Sequence, residues 1–162
     1  MNQSNTKTQE VEGLPQLFAE VCTDLLKHGF SVTFRAPGRS MHPTIRDGEI
    51  ITAEPVAPGR LKWGEIALYR AGEVLLAHRV VRLRRGDGDP HLLVRGDAPG
   101  AQDERVTAGQ ILGRVVCTVR GEESLRLSTA KARILWLLRH TGYRLRGWLV
   151  NRILPYAAGS LP

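Results

Sequence analysis

The hydrophobic pattern changes its period twice along the chain, which separates a helical start, a β body and a helical end. Apolar residues first recur at spacings of three and four, as Leu14, Leu17, Phe18, Val21 and Leu25. This spacing predicts an amphipathic helix over 14–28, closed by Gly29. Residues 1–13 before it are polar and are predicted to be disordered.

A period of two follows the helix. Val32, Phe34 and Ala36 alternate with polar residues, and further strands are predicted over 49–54, 65–70, 74–83, 91–95 and 111–120. Hairpin turns are predicted over 71–73 and 86–90, where Gly, Asp and Pro cluster. Short strands with such connections predict a mainly β body that is antiparallel and partly closed.

Helical spacing returns over 129–154, where apolar residues from Ile134 to Ile153 lie on one side and arginines border them. Gly142 and Gly147 weaken this helix by up to about 1 kcal/mol each, so one long helix and two shorter ones are both open. The predicted organisation is therefore a disordered segment 1–13, a body 14–123 and a basic helical tail 124–162.

The charge of the chain is concentrated in this tail. The net charge is +7, and residues 124–162 carry seven basic and no acidic side chains, so the 16 basic and 16 acidic residues of the rest balance. The neutral body is therefore not expected to bind a polyanion. A basic amphipathic tail can lie on an anionic membrane, dock on a partner or pack on its own body. Nucleic acid is disfavoured, because no recognition element is present.

Other composition features limit the setting. The longest apolar run of the tail covers only 134–138, far short of the ~20 residues of a membrane span, and no secretory signal is visible. Cys22 and Cys117 form no disulfide framework and lack metal-ligand spacing. We therefore expect a cytoplasmic protein, or one held at the inner face of the membrane, that needs no metal or cofactor.

Residues 38–49, Gly-Arg-Ser-Met-His-Pro-Thr-Ile-Arg-Asp-Gly-Glu, hold the strongest chemical signal. They place Ser40 on a tight turn just before a predicted strand. A hydroxyl nucleophile needs such a stiff, exposed turn, with backbone N–H groups beside it to bind a developing oxyanion.

A candidate base follows 38 residues after Ser40. His78 lies in the strand Leu-Ala-His-Arg-Val-Val, after a strand Gly-Glu-Ile-Ala-Leu-Tyr and a hairpin turn. Lys62 is the one lysine between Ser40 and the tail, and it precedes these strands. An imidazole is largely neutral at pH 7, whereas a lysine must be desolvated to act as a base, so His78 is the better candidate.

A third segment, Arg-Gly-Asp-Ala-Pro, carries Asp97 and is followed by Asp103. In this order the three segments resemble the signal peptidase superfamily, which includes the LexA-type self-cleaving repressors. The His-Arg-Val triplet is closest to the histidine-type branch, found in archaea and the endoplasmic reticulum. The resemblance covers roughly residues 31–120 and implies the β body of that superfamily.

The resemblance also implies roles for the residues that match its motifs. Ser40 would be the nucleophile and His78 the general base, while Asp97 or Asp103 would support the histidine. The residues flanking the serine would form the oxyanion and substrate-binding surface: Gly38, Arg39, Met41 and Pro43. Some bacterial members have a serine where this chain has Gly38, so the oxyanion would depend chiefly on the Ser40 N–H.

The implied activity is a serine endopeptidase that cuts an extended peptide or protein precursor beside small residues. A LexA-like self-cleaving regulator is an alternative from another class, but only some thirty residues precede the first predicted strand, too few for a DNA-binding domain. A third alternative is a non-catalytic module whose basic tail engages a membrane or a partner.

Overall fold

The computed structural model describes residues 4–84, 91–134 and 136–137, with side chains from residue 14 onwards. The chain divides into two units, 1–128 and 129–162. In the first, helix α1 (Ser4–Lys27) precedes eight strands, with short 3-10 turns at Pro58–Arg60 and Ala108–Gln110. The strands are β1 (Val32–Arg35), β2 (Ile50–Pro55), β3 (Ile66–Ala71), β4 (Val74–Arg84), β5 (His91–Arg95), β6 (Glu104–Thr107), β7 (Ile111–Arg120) and β8 (Glu123–Arg126).

The strands form one antiparallel sheet in the order β1-β2-β7-β3-β4-β5-β6, with β8 paired to β7. Register shifts interrupt three of its pairings, between Thr52 and Ala53, Leu68 and Tyr69, and Val80 and Arg82. Irregularities of this kind increase local twist. The sheet curls into a half-barrel, which confirms the predicted mainly β, antiparallel architecture.

Two apolar clusters occupy the two faces of this sheet. The first lies under α1 and contains Cys22, Leu26, Val32, Met41, Ile45, Ile51, Ala53, Ile66, Leu68, Leu112, Val115 and Leu127. The second lies on the opposite face and contains Leu61, Ala67, Tyr69, Val80, Leu92, Val94, Val106 and Ile111. Alternate residues of β3 go to opposite clusters, as the pleat of a strand requires.

Helix α1 begins at Ser4, within the segment for which the composition predicts disorder, and ends two residues before Gly29, which has a positive φ of 89°. Among its residues with described side chains, the buried ones are Ala19, Cys22, Thr23 and Leu26. The apolar stripe predicted from the sequence, from Leu14 to Leu25, is instead 39–60% exposed. Phe18 in that stripe packs edge-on against Phe34 of β1, with ring centroids 5.2 Å apart.

Strands β6 and β8 were not predicted from the sequence, whereas the other six lie within one or two residues of the predicted positions. In the second unit, residues 130–134 and 136–137 are helical, and the Thr129 hydroxyl accepts a hydrogen bond from the Ala132 N–H at 3.1 Å. The turn over 86–90 and the tail beyond 137 lie outside the described residues. Over the ranges that are described, no helix has the length and apolar character to cross a bilayer.

Glu49, just before β2, ties the sheet to the loop that precedes it. Its carboxylate accepts hydrogen bonds from Arg120 at 2.6 Å and from Thr118 at 3.0 Å, while Arg120 also donates to the carbonyls of Pro43 and Thr44. Burial alone would raise the pKa of Glu49, but the hydrogen bonds from Arg120, the Arg46 backbone and Thr118 outweigh it. The pKa therefore lies below its usual range.

This lowered pKa predicts a loss of stability in acid. The unfolded chain takes up a proton at Glu49 near its ordinary pKa of about 4.3, before the folded chain does, so the contribution is lost as pH falls further. Urea unfolding of the wild type should show a free energy of unfolding that declines below that pH. Glu49→Gln should lack this part of the decline, whereas the exposed Glu123→Gln should keep it. Equal slopes for Glu49→Gln and the wild type would contradict the assignment.

Candidate active site

Ser40 lies on the nucleophile loop, residues 37–47, which connects β1 to β2. Met41 and Ile45 anchor this loop in the first apolar cluster, and the Ile45 N–H donates to the Met41 carbonyl at 3.0 Å, which closes a tight turn. Ser40 precedes this anchored turn and is exposed. Its hydroxyl is therefore presented to solvent by a backbone that is fixed from below.

The segment after β5 holds the loop from the other side. The Ala98 N–H donates to the Ser40 carbonyl at 2.9 Å, and a Cβ at Gly96 would overlap the same carbonyl oxygen. Gly38 has a φ of 99° and its N–H donates to the Asp47 carboxylate at 2.8 Å, which closes the base of the loop. Glycine is therefore needed at position 96 because the Ser40 carbonyl lies too close for a side chain, and at position 38 because the backbone has a positive φ.

The structure brings Ser40 and His78 together. The Ser40 Oγ lies 3.1 Å from the His78 Nε2, which is hydrogen-bond distance for a nucleophile and its base. The His78 side chain is 15% exposed, so the ring is accessible at one edge. Among the described residues, no group accepts a hydrogen bond from the Ser40 N–H, which leaves this donor for an oxyanion.

The opposite nitrogen of the ring faces a tyrosine and a glutamate. The His78 Nδ1 is 2.8 Å from the Tyr69 hydroxyl, which in turn donates to the Glu104 carboxylate at 2.5 Å. The same carboxylate oxygen is 3.5 Å from Nδ1. Burial, followed by the hydrogen bond to Glu104, raises the pKa of Tyr69 far above its usual range, so its hydroxyl keeps its proton.

Asp97, one of the two predicted supports of His78, binds Arg79 instead. Its two oxygens accept hydrogen bonds from the guanidinium at 2.6 to 3.2 Å, and one also accepts from the Thr44 hydroxyl at 2.5 Å. The side chains of Asp97 and Arg79 are both 2% exposed. Asp97 therefore joins β4 to the nucleophile loop in a buried ion pair.

Asp103, the other predicted support, forms an ion pair with Arg95. The structure thus pairs both predicted aspartates with arginines and not with His78, and the reason is the pleat of the sheet. Arg79 and Arg95 are register partners on one face, while the neighbouring His78 points to the other. Glu104 follows Asp103 and lies in a row with Val94 and Val80, on the face of His78.

The residues predicted to bind the oxyanion and substrate are distributed differently from that expectation. Gly38 and Arg39 are exposed beside the serine, and the Arg39 carbonyl accepts from the His42 N–H at 3.0 Å. Pro43 is half-buried and its carbonyl binds Arg120. Met41 is only 5% exposed and belongs to the core, so its side chain anchors the loop.

Sequence reasoning missed Tyr69 and Glu104 as parts of this site. Tyr69 lies in the apolar strand before the histidine hairpin, where a core role is the ordinary expectation. Glu104 opens a four-residue strand in which only Val106 is buried and apolar, so the alternation was too short to detect. Across the portions of the chain with described placement, no three His, Cys, Asp or Glu side chains are grouped as metal ligands.

Comparison with known proteins adds no relative to this picture: no family, no curated protein and no solved structure matches the chain.

The two aspartates should differ sharply in their effect on stability. Asp97→Asn removes the carboxylate that pairs with the buried Arg79 guanidinium and should lower the free energy of unfolding by about 3–5 kcal/mol. Asp103→Asn removes a partly exposed ion pair and should cost about 0–1 kcal/mol. Urea denaturation of both variants measures the difference. Equal losses would mean that the buried ion pair does not hold the loop.

Gly96 provides a second, independent test of the loop. Gly96→Ala would press a methyl group onto the Ser40 carbonyl and should lower the free energy of unfolding by about 1–3 kcal/mol. Gly109→Ala is the matched control, because a methyl group there would meet no atom within 4 Å, and it should change stability by less than about 0.5 kcal/mol. A neutral Gly96→Ala would contradict the close approach.

Proposed function

We propose that this protein is a serine endopeptidase with Ser40 as nucleophile and His78 as general base. The observation that carries the proposal is the 3.1 Å approach of Ser40 Oγ to His78 Nε2, on a loop held by Ala98, Asp97 and Arg120. The resemblance of three ordered segments to the histidine-type signal peptidases supports the same assignment. It also supports a β body of the signal peptidase and LexA type.

The geometry supports an acyl-transfer mechanism. His78 Nε2 takes the proton of the Ser40 hydroxyl as the oxygen attacks a peptide carbonyl, and the Ser40 N–H binds the resulting oxyanion. The imidazolium then gives this proton to the leaving amine, so the peptide bond breaks and an acyl-serine forms. A water, deprotonated by His78, attacks that ester and restores the free serine.

The strand pairing supports an extended substrate. Residues Val74–His78 of β4 pair with β3 on one side, and within the described part of the sheet their other edge pairs with no strand, because β5 ends at Arg95, opposite Arg79. An added peptide strand would run along this edge directly to His78. Leu75 and Ala77 lie here, half-buried against the first cluster, and offer an apolar surface that suits small side chains.

The natural substrate that fits best is the leader of a small precursor or a membrane-proximal protein. We propose that the basic tail brings the enzyme to such a substrate, since residues 124–162 carry seven basic side chains and no acidic ones. Attraction of this kind weakens as salt rises. Sedimentation with anionic vesicles that falls with salt would support the membrane as the site of contact.

Cleavage by the purified protein tests the activity. A peptide library rich in alanine and other small residues should be cut by the wild type and left intact by Ser40→Ala, with products identified by mass spectrometry. His78→Ala should lose activity by about 10⁴-fold or more, as expected for a nucleophile and base that act as a unit. Lys62→Ala, on an exposed side chain, should keep it.

Each other outcome points to a different function or mechanism. Loss of activity in Lys62→Ala with retention in His78→Ala would mean that the base is wrongly assigned. A chain that shortens with time in pure wild type, but not in Ser40→Ala, would favour a self-cleaving regulator. Absence of Ser40-dependent cleavage, together with salt-sensitive vesicle binding, would favour a non-catalytic module.

A further inference from the structure

We propose that Glu104, acting through the Tyr69 hydroxyl, is the carboxylate that orients His78 and stabilises its charged form. This inference rests on the proposed peptidase function and assigns two positioning residues to it. The geometry that carries it is a continuous line of hydrogen bonds from Ser40 through His78 and Tyr69 to Glu104, with separations of 3.1, 2.8 and 2.5 Å.

The protons available along this chain of hydrogen bonds determine the tautomer of His78. A carboxylate can only accept hydrogen bonds, so the single proton of the Tyr69 hydroxyl is directed to Glu104. The tyrosine oxygen is then an acceptor toward His78, which requires the hydrogen of the neutral ring on Nδ1. The Nε2 is left unprotonated, as it must be to take the proton of Ser40.

Glu104 is also the carboxylate of this region whose charge is available. Asp97 is neutralised by Arg79 and Asp103 by Arg95, whereas among the described residues Glu104 forms no ion pair with lysine or arginine. Among the residues whose placement the structure describes, the titratable groups in contact with the His78 ring are Tyr69 from β3 and Glu104 from β6. A negative charge 3.5 Å from Nδ1 favours the imidazolium that forms during attack.

No proton needs to leave Tyr69 or Glu104 in this arrangement. When Ser40 attacks, its proton moves to Nε2 and the ring becomes positive. Nδ1 still donates to the tyrosine oxygen, and the tyrosine still donates to the carboxylate. The buried phenol, at 0% exposure, therefore transmits the interaction while it remains neutral. The tyrosine extends the reach of a carboxylate from β6 to a ring on β4.

Steady-state kinetics of three variants and one control variant on a cleaved peptide test the assignment. Glu104→Gln and Tyr69→Phe should each lower kcat by about 10- to 100-fold, the size of one charge-assisted hydrogen bond, with KM little changed. The kcat of the double variant should be no lower than that of the less active single variant, because both residues act through one chain of hydrogen bonds. Glu123→Gln, an equal change of charge on an exposed residue, should match the wild type.

The pH profile separates positioning from a structural effect. Removing the carboxylate disfavours protonation of the nearby ring, so the acidic limb of kcat/KM should move to lower pH in Glu104→Gln. A merely structural role would reduce activity without moving this limb. A Glu104→Gln variant with wild-type kcat and an unmoved limb would overturn the proposal.

An NMR measurement keeps this inference distinct from the peptidase proposal. Proton–nitrogen correlation spectra of the resting wild type should show the hydrogen of the neutral His78 ring on Nδ1 and not on Nε2. The hydrogen on Nε2 would overturn the tautomer assignment even if cleavage occurs. If the hydrogen is on Nδ1 but no Ser40-dependent cleavage occurs, the peptidase function alone is contradicted and the tautomer assignment stands.

Discussion

The alternation of side chains at two consecutive residues of β4 is the constraint on which the site depends. His78 and Arg79 must point to opposite faces of the strand. Arg79 enters a buried pair with Asp97, which also binds Thr44 of the nucleophile loop. His78, fixed by the same backbone, meets Ser40 on the other face. The buried Arg79–Asp97 pair and the solvent-facing His78–Ser40 pair are thus both positioned by two consecutive residues of β4.

Curling of the sheet is the second feature that shapes the site, because it brings Tyr69 and Glu104 together. Strands β3 and β6 are separated by β4 and β5, and in a flat sheet with strands about 4.8 Å apart they would be some 14 Å from each other. Tyr69 and Glu104 nevertheless meet at 2.5 Å. The long tyrosine side chain and the curvature close this gap together, and register shifts lie beside Tyr69 and Val80. Closure of the sheet is therefore also what places a carboxylate near the histidine.

Two kinds of sequence information sufficed for part of the structure: hydrophobic period for six strands, and the resemblance of ordered segments for the pairing of Ser40 with His78, whose strand β4 is a neighbour of neither β1 nor β2 in the sheet. They did not suffice for the carboxylate. Asp97 and Asp103 stood at the expected sequence distance, but distance along a chain does not state which face of a sheet a residue occupies. Had β6 been recognised, alternation would have put Asp103 with Arg95 and Glu104 with His78. Its four residues, with one buried valine, were too short a pattern.

The distribution of charge follows from the same separation of faces. An arginine next to the histidine would oppose formation of a positive charge on the imidazole ring, unless the arginine were itself neutralised. Asp97 neutralises Arg79 inside the protein. Arg95, the register partner of Arg79, forms an ion pair with Asp103. Both arginines thereby form ion pairs on their own face, whereas Glu104 lies 3.5 Å from the His78 Nδ1 and, among the described residues, forms no ion pair with lysine or arginine. If the proposed peptidase function holds, the two aspartates support His78 indirectly, because they cancel the charges of nearby arginines and Glu104 is then the carboxylate that acts on the ring.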